Sequence, residues 1–130
     1  DRFGFVAALS ATDMAIALHD APQRMLYRRV VGQGAAEAML DRINPWHLVT
    51  TGMPSPSQQV ALAWGTREGR KFRVGGERLN EAMAGAGLDV AAMRVSGGGH
   101  GWRSWRAALP WMMARLGQRW STELNRGPTP

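Results

Sequence analysis

The sequence contains no cysteine and only one lysine, Lys71. Without cysteine the chain can form neither a disulfide framework nor a zinc site with thiolate ligands. It also lacks any apolar run near the roughly 18 residues that a membrane span requires, and it has no internal repeat. Hydrophobic residues make up 45% of the 130 residues, and six residues are tryptophan. This composition is typical of one packed domain.

Positive charge is carried almost entirely by arginine, and the formal net charge is +6. Such a balance can favour nucleic acid or anionic lipid, because both present negative charges to a basic surface. The arginines are scattered along the chain, with no dense basic block and no aromatic RNA-binding motif. The pattern therefore argues against nucleic acid as a partner and leaves an anionic membrane surface open.

Three apolar segments predict strands: Phe3–Thr12, Val60–Trp64 and Asp89–Val95. Continuous apolar runs suit strands that are buried on both faces, as in a parallel sheet. A helix that opens at Gly75-Gly76 and ends at Gly87 separates the second run from the third. A strand, a helix and a strand with short connections form a right-handed crossover, so these strands should be parallel. The prediction is one α/β domain over residues 1–125, followed by a disordered tail at 126–130.

Helical patterns flank the predicted strands. Residues from Ala21 to Ile43 form two helical pieces, which Asn44-Pro45 ends before a polar loop. After the third strand, apolar residues recur at helical spacing from Trp102 to Trp120, which predicts a helix with this stripe against the sheet. Pro110 removes a backbone hydrogen bond there, so we expect a kink or a break.

A single histidine stands among glycines at the end of the third strand, in the stretch Val95–Trp102. Glycines let the backbone turn sharply and leave the imidazole of His100 facing open space, where a catalytic base would lie. The alternative is an ordinary solvated turn residue, because a base also needs partners.

Glu68 follows the second strand in the glycine-bracketed segment Gly65–Gly69. Parallel strands end at the same edge of a sheet, so Glu68 and His100 are expected on one side, where the carboxylate could orient the imidazole. The alternative for Glu68 is a charged turn residue paired with Arg67 or Arg70. Asp13, after the first run, is a weaker candidate whose simpler role is a helix cap or turn residue.

The stretch Gly98–Trp102, followed by Trp105 and Leu109, resembles the histidine motif of the esterase D-like branch of the α/β-hydrolases, which contains enterochelin esterases and the antigen 85 mycolyltransferases. The order of Trp64–Glu68, a helix, a strand and His100 is similar to the C-terminal half of that family. Residues Asp1–Ser10 likewise resemble the strand that follows the nucleophile helix.

The resemblance implies a serine carboxylic-ester hydrolase, or an acyltransferase of the same chemistry, acting on a small-molecule or lipid ester without a cofactor or metal. His100 would be the general base and Glu68 the acid that orients it. The family more often has aspartate as the acid, so Asp13 remains a second candidate for that role.

The nucleophile is missing, because the chain contains no Gly-x-Ser-x-Gly elbow. None of its serines has that context: Ser10, Ser55, Ser57, Ser96, Ser104 and Ser121. The elbow is therefore expected upstream of Asp1, and the strand near Phe5 should have an open edge that pairs with the missing half or with a second copy. The competing hypothesis is a non-catalytic module that binds a protein or an anionic surface.

Overall fold

The computed structural model describes residues 4–11, 44–52 and 57–125, together with positions 25, 28, 29, 32, 38 and 42. Asp13, most of the predicted helical segment between 21 and 43, and the tail at 126–130 lie outside the described residues. In chain order the elements are β1 Phe5–Leu9, α1 Pro45–Thr50, β2 Gln59–Gly65, α2 Arg70–Gly85, β3 Asp89–Val95 and α3 Trp102–Asn125.

The three strands form one sheet in the order β1-β2-β3, and both pairings are parallel. Leu9 is opposite Ala63, and Gly65 is opposite Val95, so the carboxyl ends of the strands share one edge. The predicted α/β fold, with three parallel strands and flanking helices, is confirmed. The loops that follow β1, β2 and β3 leave from this edge.

The central strand β2 faces a different hydrophobic cluster on each side of the sheet. Val60, Leu62 and Trp64 point to one side, where the cluster also contains Val49 of α1 and Leu79 of α2. Ala61 and Ala63 point to the other side and pack against Ala108 and Met112 of α3. Side chains alternate between the faces of a strand, so the two alanines let α3 lie close to the sheet.

β1 is shorter and more exposed than its sequence predicts. The strand covers only Phe5–Leu9 of the apolar run, and Val6 is 43% exposed. The prediction that this strand is buried on both faces was therefore wrong, since Val6 and Ala7 are exposed. Within the described residues β1 pairs only with β2 and forms the edge of the sheet. Pairing of this edge with a further strand stays a prediction.

The helix α2 begins at Arg70 and not at the predicted Gly75-Gly76, which lie within it. A side chain at Gly76 would come within 2.8 Å of the Trp64 indole, so glycine permits this helix to pack closely on β2. The predicted end is confirmed, since the helix stops at Gly85 and Gly87 has a φ of +77°.

Asn44-Pro45 begins a helix, whereas the sequence predicted only that it ends one. The Asn44 side chain accepts a hydrogen bond from the Trp46 amide at 3.2 Å, and Pro45 is the first residue of α1. Asparagine at the cap and proline at the first helical position are both favoured at helix starts. The helix ends at Thr50, which is the first residue of the polar loop that the sequence predicts over Thr50–Ser57.

The long helix α3 runs without a break through Pro110. Pro110 has no amide to donate to the Arg106 carbonyl, and both residues are exposed. The predicted sheet-facing stripe is only partly right, because Ser104, Ala108 and Met112 are the buried residues of α3. Trp102, Met113 and Trp120 are 65%, 58% and 59% exposed. Among the described residues, no helix has the length and apolar character that a membrane crossing requires.

Candidate active site

The loops that follow β2 and β3 are joined by backbone hydrogen bonds. The Thr66 amide donates to the Val95 carbonyl at 3.0 Å, and the Arg67 amide donates to the Gly98 carbonyl at 2.8 Å. In the other direction, the Gly97 amide donates to the Thr66 hydroxyl at 2.8 Å. These bonds hold the loop of Glu68 against the loop of His100.

Two glycines allow this contact between the loops. A side-chain carbon at Gly65 would come within 2.5 Å of the Gly98 carbonyl carbon, and one at Gly98 would come within 2.7 Å of the Ser104 hydroxyl. Gly97 provides the turn, with a φ of +67°. The glycines therefore do more than turn the chain, since two of them create the space in which the loops meet.

Glu68 and His100 meet at the edge where the parallel topology predicted them. The Nδ1 atom of His100 lies 3.7 Å from the Oε2 atom of Glu68. The carboxylate side chain is fully buried, whereas the imidazole is 43% exposed. This separation is longer than a direct hydrogen bond, and such contacts often shorten only when substrate is bound. With Nδ1 turned to the acid, Nε2 is left for a reacting group.

Two aromatic side chains hold the imidazole in place. Phe72, from the first turn of α2, stacks on it with ring centroids 3.9 Å apart and an angle of 11° between the planes. Trp105, from the first turn of α3, meets it edge-on at 5.3 Å. The prediction that the imidazole faces open space is therefore only partly right, because the side chain is 43% exposed but also contacts these two aromatic rings.

Ser10, the residue after β1, binds the other oxygen of the acid. Its hydroxyl donates to Oε1 of Glu68 at 2.6 Å and accepts from the Trp105 indole Nε1 at 2.9 Å. Ser10 is 7% exposed and has a φ of 54°. Within the described residues, the partners of the Glu68 carboxylate are Ser10 and His100, not the arginines of the surface-turn alternative.

Ser10, Phe72 and Trp105 are the residues of this cluster to which the sequence analysis assigned no site role. The available signal for Ser10 was a polar residue directly after an apolar strand, at the edge where the acid and the base were expected. Asp13, the alternative candidate for the acid, is three positions further along the chain and lies outside the described residues.

A surface hollow of about 640 Å³ lies beside the imidazole. The loop from Val95 to Gly101 and the start of α3, which includes Arg103, form most of its wall. Arg67 also lines it. Pockets of this size accommodate small organic molecules. The cluster of acid and base thus adjoins a space in which a small substrate could bind.

No protein-family model matches the chain, and no curated protein matches it in sequence. Its structure is similar to the crystal structure of carboxyl esterase 2 from the mycorrhizal fungus Tuber melanosporum, with a TM-score of 0.51 and 19% identity. The match covers 78% of this chain and 36% of the esterase chain, so this chain spans about a third of the length of that structure. At this identity the likeness shows the fold alone, which is an α/β arrangement of parallel strands with flanking helices.

Proposed function

We propose that this chain carries the general base and the acid of a serine carboxylic-ester hydrolase related to the esterase D family. The observation that carries the proposal is the pairing of His100 with the buried Glu68 at the ends of neighbouring parallel strands. The fold that the chain shares with a carboxyl esterase supports the same reaction class. His100 is the base, and Glu68 is the acid that orients it.

The chemistry follows from the two imidazole nitrogens. Nε2 of His100 takes the proton of a serine hydroxyl while the serine oxygen forms a bond to the ester carbonyl carbon. The imidazolium then gives this proton to the departing alkoxide, which leaves as the alcohol. In the second half, water attacks the acyl-serine and its proton passes through Nε2 back to the serine, which releases the acid. A second alcohol in place of water gives acyl transfer.

Glu68 stabilises the charged imidazolium during both halves of the reaction. Its side chain is fully buried, and Phe72 and Trp105 cover two sides of the imidazole. A carboxylate in such a water-poor environment interacts more strongly with a positive charge than one in bulk water. The pair therefore favours the protonated imidazole that forms in the transition state.

The attacking serine belongs, in this proposal, to a segment outside these 130 residues. Ser10 is close to the acid, but its hydroxyl is buried and already donates to Glu68 and not to the imidazole. A nucleophile must present its hydroxyl to the base and to the substrate. A Gly-x-Ser-x-Gly elbow from the longer protein would do so next to the hollow beside His100.

Labelling with a serine-directed fluorophosphonate tests this assignment. In the protein that carries this chain together with its upstream sequence, we expect turnover of a short-chain aryl ester and covalent labelling of one serine. Peptide mass spectrometry should place the label upstream of Asp1. A label on Ser10, or an unlabelled protein that shows no ester turnover, would contradict the proposal.

A second candidate function, binding to an anionic membrane surface, is favoured by the exposed side of α3. Trp102, Met113 and Trp120 lie close to one line along the helix, at about 3.6 residues per turn, and all are more than half exposed. Leu124, 82% exposed, extends the line by one turn. Arg103 and Arg106 are exposed on the same helix. Apolar and basic side chains together suit a surface of anionic lipid headgroups, and the net charge of +6 agrees.

Vesicle sedimentation tests this second function. We expect the chain to sediment with vesicles that contain phosphatidylserine, and to be released by high salt, because headgroup attraction is screened. Arg106→Gln should weaken binding about fivefold, since one basic residue near the surface contributes about 1 kcal/mol. Equal binding to pure phosphatidylcholine vesicles would contradict the anionic-surface function. So would an Arg106→Gln variant that binds phosphatidylserine vesicles as tightly as the wild type.

A further inference from the structure

We propose that Ser10 and Trp105 form a positioning pair that holds one oxygen of Glu68, so that the other oxygen faces His100. The proposal rests on the proposed function and identifies which further residues that reaction needs. Neither residue touches the ester. Their role is exerted through the acid, and the evidence is a continuous series of hydrogen bonds from α3 through the end of β1 to the loop after β2.

The direction of each hydrogen bond follows from the chemistry of the groups. An indole N–H can only donate, so the Ser10 oxygen accepts from Trp105 Nε1 at 2.9 Å. The Ser10 proton is then free to point at Oε1 of Glu68, 2.6 Å away. An ionised carboxylate accepts only, which completes a series in which each group has one orientation. The Ser10 hydroxyl is thereby prevented from turning away from the acid.

The two oxygens of Glu68 consequently have different roles. Oε1 is bound by Ser10, whereas Oε2 is buried and, among the residues that the structure describes, has no hydrogen-bond partner. An unpaired buried carboxylate oxygen is costly, and such atoms in native structures call for an explanation. Oε2 is the atom 3.7 Å from Nδ1 of His100. We infer that it is kept available for the imidazole proton.

The backbone at Ser10 supports a role for its hydroxyl. Ser10 has a φ of 54°, in the left-handed region that residues other than glycine seldom adopt. Its amide donates to the Ala63 carbonyl at 2.7 Å, which ties this conformation to the end of β2. Glycine would adopt it without a steric cost. The contact of the hydroxyl with Glu68 is the interaction that serine supplies and glycine cannot.

Trp105 connects the acid and the base through a single side chain. Its N–H reaches Ser10, and its ring meets the His100 imidazole edge-on with centroids 5.3 Å apart. A change in the position of this indole would therefore affect both members of the pair. This coupling explains why a residue of α3, far along the chain from Glu68, belongs to the same arrangement.

The kinetic test uses two substitutions of Ser10 that remove the same hydroxyl but differ in backbone cost. In the protein that carries the nucleophile, Ser10→Ala and Ser10→Gly should both lower kcat by about ten- to a hundredfold, the loss expected for one hydrogen bond to a charged group. KM should stay unchanged because Ser10 does not contact the ester. Trp105→Phe keeps an aromatic ring but loses the N–H. It should likewise lower kcat and leave KM unchanged.

Stability separates a positioning role from a merely structural one. Ser10→Gly should be more stable than Ser10→Ala because glycine tolerates the positive φ. If the hydroxyl positions the acid, kcat falls by the same factor in both variants although their stabilities differ. Activity that instead follows stability, with Ser10→Gly close to the wild type, would overturn the proposal.

An NMR measurement on the 130-residue chain distinguishes failure of this inference from failure of the proposed function. The Trp105 indole N–H resonance, assigned by its absence in Trp105→Phe, should move in Ser10→Gly and in Glu68→Gln. An indole resonance whose chemical shift stays the same in both variants would overturn the proposal of a positioning pair. If both substitutions move the resonance but the wild-type protein that carries the upstream sequence hydrolyses no ester, the proposed function is refuted instead, and with it the catalytic role of the pair.

Discussion

Replacement of His100 by alanine will lower kcat/KM for a short-chain aryl ester by about 10⁴-fold in the protein that carries the nucleophile, because loss of the base removes activation of the serine. The change leaves a gap between Phe72 and Trp105, the two aromatic side chains that contact the imidazole. Added imidazole should enter this gap and restore a small part of the activity. Steady-state rates with and without imidazole measure both effects.

His47→Ala is the matched control for this experiment. His47 lies in α1, outside the cluster formed by His100, Glu68 and Ser10. Its replacement should leave kcat/KM within about twofold of the wild type, because this half-buried side chain has no contact with the acid or the base. A His100→Ala protein that retains full turnover would end the assignment of His100 as the base.

Replacement of Gly65 by alanine will lower the free energy of unfolding by about 3 kcal/mol, the upper range for overpacking. The added methyl group would overlap the Gly98 carbonyl, and neither backbone segment has room to move without losing hydrogen bonds. The bond from the Arg67 amide to the Gly98 carbonyl would break as the loops separate. Urea unfolding of the 130-residue chain, followed by tryptophan fluorescence, measures the change.

Gly99→Ala is the control for crowding in the same glycine-rich stretch. A side-chain carbon at Gly99 would have no atom within 4 Å, and its φ is not in the positive range. Its unfolding free energy should therefore stay within about 1 kcal/mol of the wild type. Similar stabilities for Gly65→Ala and Gly99→Ala would contradict the close contact between the loops after β2 and β3.

Two of the three strands, β2 and β3, could be predicted from local pattern with little loss. β3 has the predicted bounds, and β2 extends the predicted Val60–Trp64 by one residue at each end. Both are short apolar runs bounded by turn residues, a pattern that depends on neighbours in the chain. The meeting of Glu68 and His100 at one edge then follows from parallel strands, because their carboxyl ends lie together.

The surroundings of the acid and the base could not be predicted in this way. Ser10 and Glu68 are 58 positions apart, and Ser10 and Trp105 are 95 positions apart. Local periodicity contains no information on contacts of that separation. The same limit explains the misassigned stripe on α3, since helical spacing identifies apolar residues but not which side of the helix meets the alanines of β2.

The amino-acid sequence by itself determined an α/β chain with parallel strands and brought one carboxylate and one imidazole to the same edge, because hydrophobic periodicity is local and a strand–helix–strand unit with short connections makes its strands parallel. Only the tertiary structure decided that Ser10 and Trp105 hold the acid, that Phe72 stacks on the base, and that Gly65 and Gly98 let the two loops touch. Each of these outcomes depends on distances between atoms remote in the chain, and such distances are set by packing.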